Sequence, residues 1–117
     1  MHFVEIHDSN GGFALAFDLI DILRAIGGKA LTSRWIVDGV ECVGSSAEEL
    51  HRCSDSGEAI DGKELWRMAS DISQTIDGRF SAFEGDSEQP WLQISAIDSS
   101  YFEVGSTDEG ICTEIAR

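Results

Sequence analysis

Polar and apolar positions along the chain change period several times, and each change marks an element. His2 to His7 (HFVEIH) alternates in part, with Phe3, Glu5 and His7 set against His2, Val4 and Ile6. That is the two-residue period of a strand. Ser9-Asn10-Gly11-Gly12 has turn composition, and Asn10 is a candidate helix cap. From Phe13 to Ile26 the period lengthens. Asp18, Asp21 and Arg24 recur every third residue as one narrow polar stripe, and the remainder is mostly apolar. The pattern predicts a helix buried against a sheet or a partner. Gly27-Gly28 ends it, because glycine takes the left-handed conformation without steric cost.

Ser33 to Gly44 (SRWIVDGVECVG) predicts a β-hairpin. Asp38-Gly39 suits a two-residue type I′ turn, and β-prone residues flank it. Ser46-Ala47-Glu48-Glu49 has capping-box spacing and predicts a short helix to about Cys53. Ser54 to Glu58 reads as a polar link. Asp61-Gly62-Lys63-Glu64 forms a second cap. Leu65, Met68, Ala69, Ile72 and Ile76 then step by three and four, as on an amphipathic helix.

Asp77-Gly78 closes that helix or turns the chain into a strand from Arg79 to Phe83. Glu84 to Gln89 reads as a solvated acidic loop. Trp91 to Ile97 and Tyr101 to Val104 form a second predicted hairpin across Asp98-Ser99-Ser100. Ser106 or Thr107 caps a last helix, on which Ile111, Cys112 and Ile115 share a face. The resulting order is β-α-β-β-α-α-β-β-β-α. Short turns between adjacent strands imply pairing in opposite directions. The expected fold is therefore α+β: a mostly antiparallel sheet of five to six strands with three to four helices packed on it. At 117 residues the chain forms a single domain, 1–117.

Composition narrows the function. Twenty-two acids against eight bases give a formal charge of −14, which disfavours nucleic acid and anionic membranes and favours a basic protein. The same balance would suit a salt-rich cytoplasm. No apolar run approaches the ~20 residues that span a bilayer. The start, Met1-His2-Phe3-Val4-Glu5, lacks the basic residues of a signal peptide. The expected location is cytoplasmic. Cys42, Cys53 and Cys112 are odd in number and lack C-x-x-C spacing, so they read as buried free thiols.

Site chemistry is sparse. His51 lies near Cys42 and Cys53 in sequence, which raises a Cys/His nucleophile or a metal site. No G-x-S-x-G occurs, and the spacing matches no zinc pattern. The acids at Glu84, Asp86 and Glu88 lack the alternation of an EF-hand loop. Gly27-Gly28-Lys29 follows a helix instead of opening one, so it does not form a phosphate cradle. No catalytic, cofactor or metal residue is assigned, and the chain reads as non-enzymatic.

The remaining signal is surface charge. Glu48, Glu49, Asp55, Glu58, Asp61 and Glu64 make one acidic segment, and Glu84, Asp86 and Glu88 make a second. With Trp66, placed slightly off the Leu65-Met68-Ile72 face, they are the candidate partner-binding residues. The apolar helix at Phe13–Ile26 offers a second reading, a homodimeric structural or regulatory module. A small enzyme or ligand-binding domain using His51 with Cys42 or Cys53 is a third.

Ile72 to Phe83 (ISQTIDGRFSAF) and Trp91 to Asp98 (WLQISAID) resemble small bacterial immunity proteins, which neutralise polymorphic or contact-dependent toxins. The resemblance covers roughly the C-terminal half and carries no catalytic or ligand signature. It implies a small acidic α and β protein that blocks a toxin stoichiometrically; the charge of −14 is what points to a basic target such as a nuclease.

Overall fold

Alternation along the strands sorts one side chain of every two onto a buried face. The computed structural model describes residues 1–7, 18–98 and 100–115. Within these, six strands form one sheet in the order β1-β6-β5-β4-β2-β3, and every neighbouring pair is antiparallel. The strands are β1 (His2–His7), β2 (Arg34–Gly44), β3 (Ile60–Asp61), β4 (Ile72–Phe83), β5 (Leu92–Ile97) and β6 (Tyr101–Ser106). Five helices accompany them: α1 (Leu19–Ile26), α2 (Gly28–Thr32), α3 (Ala47–Ser56), α4 (Gly62–Ser70) and α5 (Glu109–Ile115). The expected α+β architecture is the one observed.

The register aligns the buried face. Val37 stands opposite Phe80, Phe80 opposite Ile94, and Ile94 opposite Val104. In the neighbouring row Trp35, Ala82 and Leu92 are paired in turn. All of these are buried, and Leu19, Ile22 and Leu23 of α1 and Leu65, Met68 and Ala69 of α4 pack with them. The opposite face carries Glu5, Arg79, Ser95 and Glu103 in one cross-strand row. One face is thus packed under helices and the other is open, with this polar row flanked by the exposed Phe3 and Ile97, as antiparallel sheets allow.

The β5–β6 hairpin forms where predicted, and β1 has the predicted bounds. The first predicted hairpin does not form. Residues 34–44 are one continuous strand paired with β4, and Asp38-Gly39 lies within it. Two residues, Gly39 and Val40, oppose the single Gly78 between the pairs Asp38–Arg79 and Glu41–Asp77. This is a β-bulge, and Gly39 has φ +60°. A bulge of this kind needs the same left-handed glycine as a type I′ turn, so the dipeptide alone does not distinguish them.

Helix α4 also ends earlier than its spacing suggests. Ile72 begins β4, and Asp71 closes the helix by donating its N–H to Met68 and Ala69 carbonyls. Ile72 is buried in the strand, so the three- and four-residue spacing of apolar positions runs on past the helix's true end. The β-branched residues Ile72, Thr75 and Ile76 favour the strand.

Helix starts use acids more than the predicted hydroxyls. Asp18 caps α1, accepting from Leu19 N–H, and Asp21 accepts from Asp18 N–H at 2.8 Å. Asp61 caps α4 as predicted, accepting from Lys63 N–H at 2.8 Å. Ser46 makes no capping bond; its hydroxyl donates to Asp71 Oδ2 at 3.4 Å instead. At α5 Asp108 accepts from Gly110 N–H at 2.9 Å, while Ser106 Oγ accepts the N–H of Asp108 at 3.0 Å, just before the helix begins. Ser106 is buried and donates to the Trp91 carbonyl. Gly27 stops α1 as expected, and the short α2 follows at once. The predicted turn at Ser9–Gly12, with Asn10, and the first part of the predicted helix, from Phe13, lie outside the described residues.

Candidate functional site

The two acidic segments are drawn together by one arginine. Arg34 starts β2, and its backbone is paired with Asp61 of β3. Its guanidinium reaches the loop between β4 and β5, donating to the carbonyls of Gly85 and Ser87. Asp61, within the first acidic segment, and the loop bearing Glu84, Asp86 and Glu88 are therefore both attached to Arg34 at one end of the sheet. An open groove of about 470 Å³ lies there, lined by Leu31, Thr32, Ser33, Arg34, Asp61 and Lys63.

Not every predicted acid is available. Arg67 bridges the two helices by pairing with Glu49 of α3 at 2.8 Å and with Glu64 of its own helix. The guanidinium holds the Glu64 carboxyl below its usual range, chiefly through the hydrogen bond. Glu84 pairs with Lys29 at 3.1 Å, and that ammonium also sits 4.1 Å above the Trp91 ring. Asp61 spends one carboxylate oxygen on the helix cap. Glu48 and Asp55 flank Arg52 on the exposed side of α3, four residues before it and three after. Glu58, Asp86 and Glu88 are exposed and have no ion-pair partner among the described residues.

Trp66 is half-buried and packs against the core, so it offers less surface than its sequence position suggests. Trp35 and Trp91 are buried, and each anchors α2 or its end: Trp35 Nε1 donates to the Ala30 carbonyl and Trp91 Nε1 to Ser33 Oγ, both at 2.9 Å.

The Cys42–His51 proximity expected as an alternative is real. Nε2 of His51 lies 3.8 Å from Cys42 Sγ and accepts the Cys42 backbone N–H at 3.3 Å. A nucleophilic pair needs a thiol with a lowered pKa and a free base. Here burial, aided by the negative charge of Asp18, pushes the Cys42 thiol up to about 11. The base nitrogen is already committed to the backbone. Burial likewise raises Cys53 and Cys112. Among the described residues no three His, Cys, Asp or Glu side chains converge so as to hold a metal ion.

Helix α3 lies along the outer edge of β2, since β3 pairs only with Arg34 and Trp35. Two backbone donors beyond that point are met by α3 side chains: Val40 N–H by Ser54 Oγ at 3.0 Å and Cys42 N–H by His51. Edge strands are often covered in this way. Sequence reasoning missed this role because it assigns 33–44 to a closed hairpin. It also missed Arg67, whose signal was its place three residues after Glu64 on a helix.

No described helix is long and apolar enough to cross a membrane. The described part of the apolar helix buries Leu19, Ile22 and Leu23 within the chain's own core. Comparison with protein-family models, with curated proteins and with solved structures returns no match.

Proposed function

We propose that this chain is a non-enzymatic protein-binding module, an acidic inhibitor of immunity type that docks a basic protein such as a nuclease toxin. The docking end is where Asp61 and the Glu84–Glu88 loop are joined by Arg34, with Glu58 three residues before Asp61. The observation that carries this reading is the convergence of two acidic segments at one end of a chain whose formal charge is −14. Like charges held together by the fold give a field that steers a basic partner and sets its orientation. The unpaired carboxylates of Glu58, Asp86 and Glu88 supply the contacts, and Asp55 extends the field along α3. Glu49 and Glu64 contribute less, because Arg67 offsets them.

The test is a charge reversal, Glu58→Lys with Asp86→Lys and Glu88→Lys, in tagged full-length protein recovered from its host at low and high salt. A basic protein held by the unmodified chain at low salt, weakened at high salt and absent from the variant supports the reading. Equal retention by both proteins, or no basic partner at either salt, overturns it.

A further inference from the structure

We propose that His51 is an acid-sensitive latch that holds α3 on the edge of β2. The backbone N–H of Cys42 is a donor, so His51 Nε2 can meet it only through its lone pair, with the ring proton on Nδ1. A protonated ring carries hydrogen on both nitrogens. Nε2 then becomes a donor aimed at another donor, and the Cys42 N–H loses its partner. Closure and ring protonation therefore exclude each other, and imidazole is the side chain that changes charge between about pH 5 and 8.

The surrounding groups set the balance. From β2 the neighbour is the Cys42 thiol, which burial keeps neutral across that range. From the start of α1, Asp18 places a negative charge near Cys42 while accepting the Thr75 N–H. On α3 itself Glu48 and Asp55 lie about one turn before and after His51, and Arg52 is adjacent. From the α4 side Glu64 acts on neighbouring Cys53. Acidification adds the proton, and the latch opens.

The second attachment does not titrate. Ser54 Oγ accepts the Val40 N–H through a hydroxyl, at every ordinary pH. Opening is therefore local, at the end of β2 nearer Gly44. It bares the backbone of an edge strand while most of the core, carried by the sheet, α1 and α4, stays packed; from α3 only Leu50 is fully buried there.

Backbone amide exchange of the full chain, followed by NMR between about pH 5 and 8 and corrected for intrinsic exchange, reads both attachments at once. The Cys42 amide should lose protection as pH falls, by up to about tenfold per pH unit once the ring titrates. The Val40 amide should not follow it. In His51→Gln the amide oxygen can accept without titrating, so Cys42 should stay protected throughout. In Ser54→Ala the Val40 amide should lose protection while the pH dependence at Cys42 persists. Constant protection of Cys42 in the unmodified chain, or the same pH dependence in His51→Gln, overturns the proposal.

Discussion

Helices α3 and α4 have ten and nine residues, and they are attached to the molecule by opposite means. Helix α4 buries Gly62, Leu65, Met68 and Ala69 and lies against α1 and α2. Helix α3 fully buries only Leu50, with Ala47 and Cys53 packed at the core's margin, and adds side-chain bonds to the backbone of β2. Apolar burial is non-directional and scales with area. A hydrogen bond to an edge strand depends on one geometry, and in the case of His51 on one protonation state. The first kind of attachment builds the core; the second protects an edge and can be released. Arg67 ties the two helices together at the surface, between Glu49 and Glu64.

The largest effect that would sharpen this contrast is in α4. Leu65→Ala removes a fully buried side chain and should cost about 2–5 kcal/mol of global stability. Urea unfolding measures it; a cost below that of Ser54→Ala would break the comparison. Gly62→Ala comes next. A Cβ there would strike the backbone of Ala30 and Leu31, where α4 crosses α2 closely. Prising the helices apart should cost about 1–3 kcal/mol, and thermal unfolding would detect it.

Asp61→Ala deletes the α4 cap and should cost about 0.5–2 kcal/mol, visible as a lower urea midpoint. Ser54→Ala in α3 should cost about 1 kcal/mol, read mainly as faster exchange of the Val40 amide. The smallest effect is at Arg67→Ala. Its charges are exposed, so the melting temperature should hardly move. The Glu64 carboxyl should instead rise toward the usual carboxylate range in a carbon-detected NMR titration. The sign follows from linkage. A carboxyl depressed in the folded state adds stability above its unfolded pKa and loses it as pH falls through the folded value. That pH dependence, confined to the acid range, should disappear in the variant.

The three Asp-Gly pairs show what could be read in advance. Asp61-Gly62 was legible as a helix start, because a capping acid followed by apolar residues at three- and four-step spacing is a local arrangement. Asp38-Gly39 was read as a turn and is a bulge, because the choice depends on which strand lies opposite. Asp77-Gly78 lies inside β4, with Gly78 facing that bulge. The candidate site was legible only as two acidic stretches. Their meeting across Arg34, and the removal of Glu49 and Glu64 into ion pairs, required knowing which segments are neighbours. Trp66 was the best choice for exposure among the tryptophans, yet half of it is spent on the core.

Local chemistry determined the strand identity of His2–His7, the β5–β6 hairpin, the stop at Gly27 and the α4 cap, as well as the α+β class that these elements imply. Each rests on residues within a few positions of one another, where period, turn preference and capping act without reference to the rest of the chain. Tertiary structure decided the long β2–β4 pairing, the end of α4 at Asp71, the shielding of the β2 edge by Ser54 and His51, and the place where the acids converge. Those outcomes turn on backbone groups and charges far apart in sequence. Such groups settle only when the whole sheet is paired, because a buried donor must find its partner wherever the fold brings one within reach.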